Sequence, residues 1–160
     1  MAKDKIPKTN ALRILDSHHV EYEVRTYDAP DGFLDGISVA KQVGMDPREV
    51  FKTLVVRGAS GEHYVCVIPV NCELDLKKAA RHFVEKNIAM IPARDITPVT
   101  GYIKGGCSPI GMKKRFTTAV ANRAEQLKLI TVSAGKVGLQ VTLPTKALLD
   151  IVKADFADLT

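Results

Sequence analysis

The 160-residue chain reads as an α+β fold, a mixed sheet curled around its own core with helices outside. Two observations lead there. Strand-like runs outnumber helical ones, and several of those runs arrive in hairpin order, which suits a mixed sheet better than a doubly wound parallel one.

The elements follow in order. Thr9 or Asn10 can cap a first helix carrying Leu12 and Leu15 on one side, and "VEYEVRTY" (20–27) alternates apolar and charged residues like a half-buried strand. A second helix over 38–43 stops at Gly44. "VFKTLVV" (50–56) and "HYVCVIPV" (63–70), linked through Gly58 and Gly61, form a hairpin. Asp75 caps "LKKAARHFVEK", in which Leu76, Ala79, Ala80 and Phe83 recur at helical spacing. Short strands follow at 88–91, 116–120, 129–133 and 137–143, and Thr145 caps a closing helix with Leu148, Leu149 and Val152 on one face.

Composition bounds the function classes. A chain of this length makes one ordinary domain, and 46% apolar with 26% charged residues is the balance of a soluble globular protein. No apolar run approaches the roughly 20 residues that cross a bilayer, and the N-terminus lacks a secretory pattern, so a cytoplasmic home is expected. Three cysteines without a CxxC pair read as reduced thiols. A net charge of +5 mildly favours an anionic partner such as RNA.

In the 50–56 strand, period-two alternation puts Lys52 on the face of Val50, Leu54 and Val56, with Phe51, Thr53 and Val55 opposite. A lysine on an apolar face either runs its stem to the sheet edge or meets an anion or polar ligand, because burying an unpaired ammonium costs several kcal/mol. "GYIKGGCSPIG" (101–111) contains neither GxxxxGK[ST] nor GxGxxG. It is either a tight turn or a loop whose paired Gly105 and Gly106 bring backbone N–H groups close to a carbonyl oxygen or oxyanion. Cys107 could be a nucleophile beside that turn, but no histidine is near it in sequence, and packing is the role expected of all three cysteines. The four histidines include no HExxH or zinc spacing, so neither a metal nor another cofactor is expected. "KKR" (113–115) sets three cations beside the loop, with a second cluster at Lys77, Lys78 and Arg81. Both fit a solvated surface, or a polyanionic substrate whose contacts weaken as salt rises.

Taken together, "KTNALRILD", "VFKTLVV", "LDLKKAA", "TGYIKGGCSPIGMKKR" and "VSAGKVGLQV", in that order over nearly the whole chain, resemble the YbaK/EbsC family of Cys-tRNA(Pro) deacylases, relatives of the editing domain of bacterial prolyl-tRNA synthetases. The resemblance implies a single aminoacyl-tRNA editing domain with a mixed sheet or partly open barrel core. Its activity would be trans-editing: removal of cysteine from Cys-tRNA(Pro), or Cys-tRNA(Cys), through attack of the substrate thiol on its own ester with release of a thiolactone. That is formally a lyase, and a hydrolase if water attacks instead. Prolyl-tRNA synthetase is the implied partner. On matching motifs Lys52, Gly105 and Gly106 would be catalytic, with Tyr27, Phe33, Thr53, Ser108, Ser133 and Gln140 around the substrate. Gln140 stands where many relatives are acidic, and Cys107 where the residue is often aliphatic. The alternatives are deacylation of another misacylated tRNA, such as Ala-tRNA(Pro), and a non-catalytic module that binds aminoacyl-tRNA or a synthetase.

Overall fold

In the computed structural model, which describes residues 6–32 and 34–160, the chain runs α1 (Asn10–Ser17), β1 (Glu23–Thr26), α2 (Gly36–Gln42), β2 (Phe51–Gly58), β3 (His63–Pro69), α3 (Leu76–Phe83), β4 (Ile88–Met90), α4 (Ile96–Thr100), β5 (Thr117–Ala121), β6 (Leu129–Lys136), β7 (Leu139–Pro144), α5 (Thr145–Val152) and β8 (Asp155–Ala157). Caps set the first three helices. The Thr9 hydroxyl accepts from the Leu12 N–H at 3.2 Å, the Asp35 carboxylate from Ser38 at 2.9 Å, and the Asp75 carboxylate from Lys77 and Lys78 at 3.0 and 3.1 Å.

The strands form two sheets, β1-β7-β6 and β4-β2-β3-β5-β8. The larger sheet is mixed: β2 pairs antiparallel with β3 and β4, whereas β5 pairs parallel with β3 and β8. An isolated parallel bridge between Val50 and Thr131 ties the sheets, with the Thr131 N–H donating to the Glu49 carbonyl at 3.1 Å. They do not close into a barrel. A shared core fills the space between them, joining Leu12 and Leu15 of α1 to Phe51 and Ile68 of the hairpin, Val132 and Leu143 of the smaller sheet, and Leu148 of α5.

Several elements depart from the pattern read in the sequence. α3 stops at Phe83, because Val84 turns left-handed at φ +58° and lets the Glu85 N–H return to the Ala80 carbonyl at 2.8 Å. The Glu85 carboxylate then accepts from Ser60 and from the Tyr64 hydroxyl, fastening α3 to the hairpin. Thr145 begins α5 without capping it: Pro144 holds the cap position, no side chain bonds there, and the Thr145 N–H donates to the Lys128 carbonyl at 2.9 Å. α4 and β8 carry too little pattern to be read, at five and three residues. Pro98 falls in the first turn of α4, where its missing N–H breaks no helical bond.

Gly106 shows what holds the glycine stretch to the smaller sheet. A Cβ there would lie 2.8 Å from the Val137 nitrogen and 3.0 Å from the Lys136 carbonyl carbon, both backbone. At Gly44 (φ +72°) the same addition meets nothing within 4 Å and carries conformational strain alone. Gly106→Ala should therefore cost about 3 kcal/mol in a urea unfolding curve and Gly44→Ala only about 1. The reverse order would mean that the loop does not press on the β6–β7 turn.

Candidate active site

Strand pairing along β2 is interrupted. Val70 donates to the Val50 carbonyl and Gly58 to the Glu62 carbonyl, so by antiparallel alternation the even-numbered residues of β2 turn their backbone groups toward β3. The odd-numbered residues turn theirs to the other edge. There Glu49 meets Thr131 of β6, and Val55 accepts from Ile91 at 3.3 Å beside β4. Between those two points no strand of the described residues covers the edge, and the N–H and C=O of Thr53 point into the gap.

That gap opens into a cavity of about 510 Å³. Its floor is the run Val50, Phe51, Lys52, Thr53 and Leu54. Tyr27, Ser133 and Gln140 come from the smaller sheet and the end of β1, while Asp35, Gly36 and Val39 come from the start of α2. Met90, Ile91, Ala93 and Ile96 add an apolar wall from β4 to α4, and Gly105 with Cys107 closes the side nearest the glycine loop. Ångström-scale closeness at α2 is again a glycine matter, since a Cβ on Gly36 would fall 2.5 Å from a Val70 methyl.

The loop is fixed from three directions. The buried Tyr102 ring lies against Gly135, where a Cβ would come within 2.8 Å of it, and its hydroxyl donates to the Ile110 carbonyl at 2.6 Å. The Asn10 amide of α1 donates to the Gly111 carbonyl at 2.9 Å, and the Lys113 N–H to the Thr100 carbonyl at 2.9 Å. Burial pushes the Tyr102 hydroxyl up to about 12, so this clamp keeps its proton across physiological pH.

The chemistry available inside is selective. Lys52 is half-buried on the cavity floor and joins no ion pair among the described residues. Thr53 Oγ1 and Gln140 Oε1 are buried without a hydrogen-bond partner among the described residues, and both residues line the cavity. Buried acceptors left unpaired cost about 1–3 kcal/mol each, so they mark where ligand donors fit. Asp35 accepts from the Ser38 N–H and hydroxyl, and those bonds hold its carboxyl below the usual carboxylate range, leaving it a poor base. Desolvation by burial pushes the Cys107 thiol up to about 11, so at neutral pH only about one molecule in ten thousand carries the thiolate.

An aminoacyl-tRNA editing domain model matches residues 37–151. A curated protein of Enterococcus faecalis (strain ATCC 700802 / V583) named "Putative Cys-tRNA(Pro)/Cys-tRNA(Cys) deacylase EbsC" is 44% identical over 161 residues, covering 100% of this chain and 98% of its own. The chain belongs to the aminoacyl-tRNA editing domain family. Among solved structures, a "putative trans-editing enzyme for prolyl tRNA synthetase" superposes with a TM-score of 0.80 at 20% identity, covering 94% of each chain. A hypothetical protein superposes with a TM-score of 0.84 at 18% identity, covering 94% of this chain and 99% of its own. At those identities the two structures speak for the fold alone.

Most of the residues singled out in the sequence lie around the editing-domain cavity: Tyr27, Lys52, Thr53, Gly105, Ser133 and Gln140. Two others, Gly106 and Ser108, do not line it. The Gly106 N–H donates to the Ile103 carbonyl at 3.0 Å, so it closes the loop's own turn, and the tight space around Gly106 is filled by the β6–β7 backbone. Ser108 is fully buried, and its hydroxyl accepts from the Ile110 N–H at 3.2 Å, which shapes the loop from inside. Phe33 lies outside the described residues. The sequence reading missed Asp35, Gly36 and the Met90–Ile96 wall. A D-G-x-S start to α2 was the available signal for the first two, and the wall had none beyond a short apolar run.

Both cysteine shifts carry a stability consequence. A buried neutral thiol with a raised folded value contributes stability that is complete below its unfolded value near 9 and is lost as pH rises through the folded value, about 11 for Cys107 and about 12 for Cys66. The urea midpoint of the wild type should fall above pH 9. In Cys107→Ala the fall between pH 9 and 11 should be shallower, and an identical slope would show that the thiol is not desolvated.

Proposed function

We propose that the protein is an aminoacyl-tRNA deacylase that clears cysteine from mischarged tRNA, Cys-tRNA(Pro) foremost, and that the thiol of the bound cysteinyl group does the cutting. The sulfur gives up its proton and bonds to the ester carbonyl carbon. The bond from that carbon to the ribose oxygen breaks, the oxygen takes a proton, and a cyclic thiolactone leaves with free tRNA. One observation carries this reading: Cys107 and Asp35, the thiol and the carboxylate on the cavity wall, are both poorly set up to attack or to take a proton, Cys107 because burial raises its thiol and Asp35 because it is bound to Ser38. The name of the 44% identical relative agrees with it.

The rest of the cavity supplies position and charge. Holding thiol and carbonyl in one geometry can contribute several kcal/mol to the barrier, and fixed donors stabilise the developing oxyanion. Lys52 is assigned to the ester region or terminal ribose, where its ammonium meets an oxygen in a partly desolvated site. The outward N–H of Thr53 and the backbone at Gly105 are the amide donors assigned to the carbonyl oxygen. Thr53 Oγ1 and Gln140 Oε1 are acceptors suited to ribose hydroxyls or the substrate ammonium. Such a role belongs in the cytoplasm, where tRNA is charged, and prolyl-tRNA synthetase is the partner that would present the substrate.

Purified protein incubated with a panel of radiolabelled aminoacyl-tRNAs should release cysteine and spare serine, whose hydroxyl is isosteric and a weaker nucleophile. Equal rates for the two esters would mean that an activated water attacks, and tight binding without release would mean a non-catalytic module. Lys52→Ala should lower turnover at least about a hundredfold with its unfolding curve unchanged, the scale of losing one oxyanion donor. Cys107→Ala should stay within a few fold of wild type. A cysteinyl adduct trapped on Cys107, or a dead Cys107→Ala beside an active Lys52→Ala, overturns the mechanism.

A further inference from the structure

A second cavity, of about 490 Å³, lies against the other half of the glycine loop. α1 and the last turn of α5 supply its other walls. Lys114, Arg115 and Lys153 stand around it, exposed and outside the ion pairs formed among the described residues, against one lining carboxylate, Asp150. Met112, Phe116 and Ile151 give it a half-buried apolar side, and Phe116 is braced edge-on by the His63 ring at 5.8 Å. Lys113 has a different part: its N–H is bound to Thr100, and its stem packs beside Gly101.

We infer that this basic groove holds the phosphate backbone of the RNA strand whose aminoacyl end enters the first cavity. The inference rests on the deacylase reading above and adds to it the surface that meets the rest of the RNA. Converging cations over an apolar side are what a single-stranded nucleic acid end requires, since phosphates need positive charge and unstacked bases need a flat apolar partner. A solvated basic face needs no concavity and no aromatic surface.

The two cavities are also adjacent along the chain. Cys107 lines the first and Pro109 the second, and two residues span at most about 7 Å, the length of roughly two stacked nucleotide steps of about 3.4 Å. In the inferred complex the strand whose end sits in the first cavity lays its last few nucleotides along the second. Tyr102 and Asn10 hold the intervening turn, so the separation of the two sites is fixed before RNA arrives.

The test uses the full chain and two substitutions of equal charge change: Lys114→Glu with Arg115→Glu in the groove, and Lys77→Glu with Arg81→Glu on the exposed side of α3. Binding of an uncharged acceptor-stem hairpin ending in CCA is measured by fluorescence anisotropy over a salt series. The groove variant should bind at least about tenfold more weakly, with a log–log salt slope shallower by about 2, and the α3 variant should stay close to wild type. In turnover, the groove variant should raise KM for cysteinyl-tRNA and leave kcat and the cleavage of cysteinyl-adenosine unchanged. Equal weakening by both variants would reduce the effect to net charge, and unchanged hairpin binding, or a groove that takes an acidic peptide in preference to RNA, would also overturn the inference. A wild type that binds the hairpin through the groove but cleaves neither ester would overturn the deacylase reading and leave the groove standing.

Discussion

Between the bridge at Val50 and the hydrogen bond at Val55, the outer edge of β2 has no neighbouring strand among the described residues, and the candidate site is built in that gap. A sheet ordinarily covers such an edge, because unpaired N–H and C=O groups are costly when buried. Here the smaller sheet meets β2 only at its start and β4 only at its end. What lies between is a stretch of β2 that is paired on its β3 side alone among the described strands. Lys52 and Thr53 both line the cavity for this reason although their side chains alternate: one is brought by its side chain, the other also by its backbone groups.

The glycine loop converts that gap into a shaped cavity. Its glycines serve contact more than flexibility: Gly106 lets the loop touch the β6–β7 turn, and Gly135 makes room for the Tyr102 ring. Phenol, amide and backbone bonds then pin the loop to α1, to α4 and to itself. A loop tied so firmly can present an N–H at a fixed place. This matters for a reaction whose rate comes from geometry, because an ångström of slack would forfeit much of the gain from positioning.

How much of this was legible in the sequence differs from residue to residue. Alternation in 50–56 and paired glycines near a basic run drew notice to Lys52 and the loop, because a lysine on an apolar face and glycines outside any phosphate motif break local rules, but pattern alone left an edge lysine and a tight turn equally open and the family resemblance chose between them. The gap in β2 pairing was not legible, since it depends on where β4 and β6 stop. Gly106 and Ser108 show the limit of reading roles from motif position. Each sits inside the most distinctive stretch, yet one gives its N–H to Ile103 and the other its hydroxyl to the Ile110 N–H. The cavity wall from Met90 to Ile96 was silent because a three-residue strand and a five-residue helix leave no periodicity to detect.

The presence of Cys107 in the wall bears on the proposed chemistry. A site in which the substrate's sulfur attacks its own ester gains nothing from a second reactive sulfur, which would compete for the same carbonyl and trap the enzyme as a thioester. Replacing the residue is one remedy, and desolvating it is another. Burial raises this thiol to about 11, which removes nearly all of its thiolate at neutral pH while keeping its volume in the cavity wall. Lys52 stands half-buried on the same cavity and joins no ion pair among the described residues, and such an ammonium gains more from a ligand oxygen than an exposed one could. In the proposed reaction the protein's own thiol is thereby kept quiet while the cation beside it is left to meet the substrate.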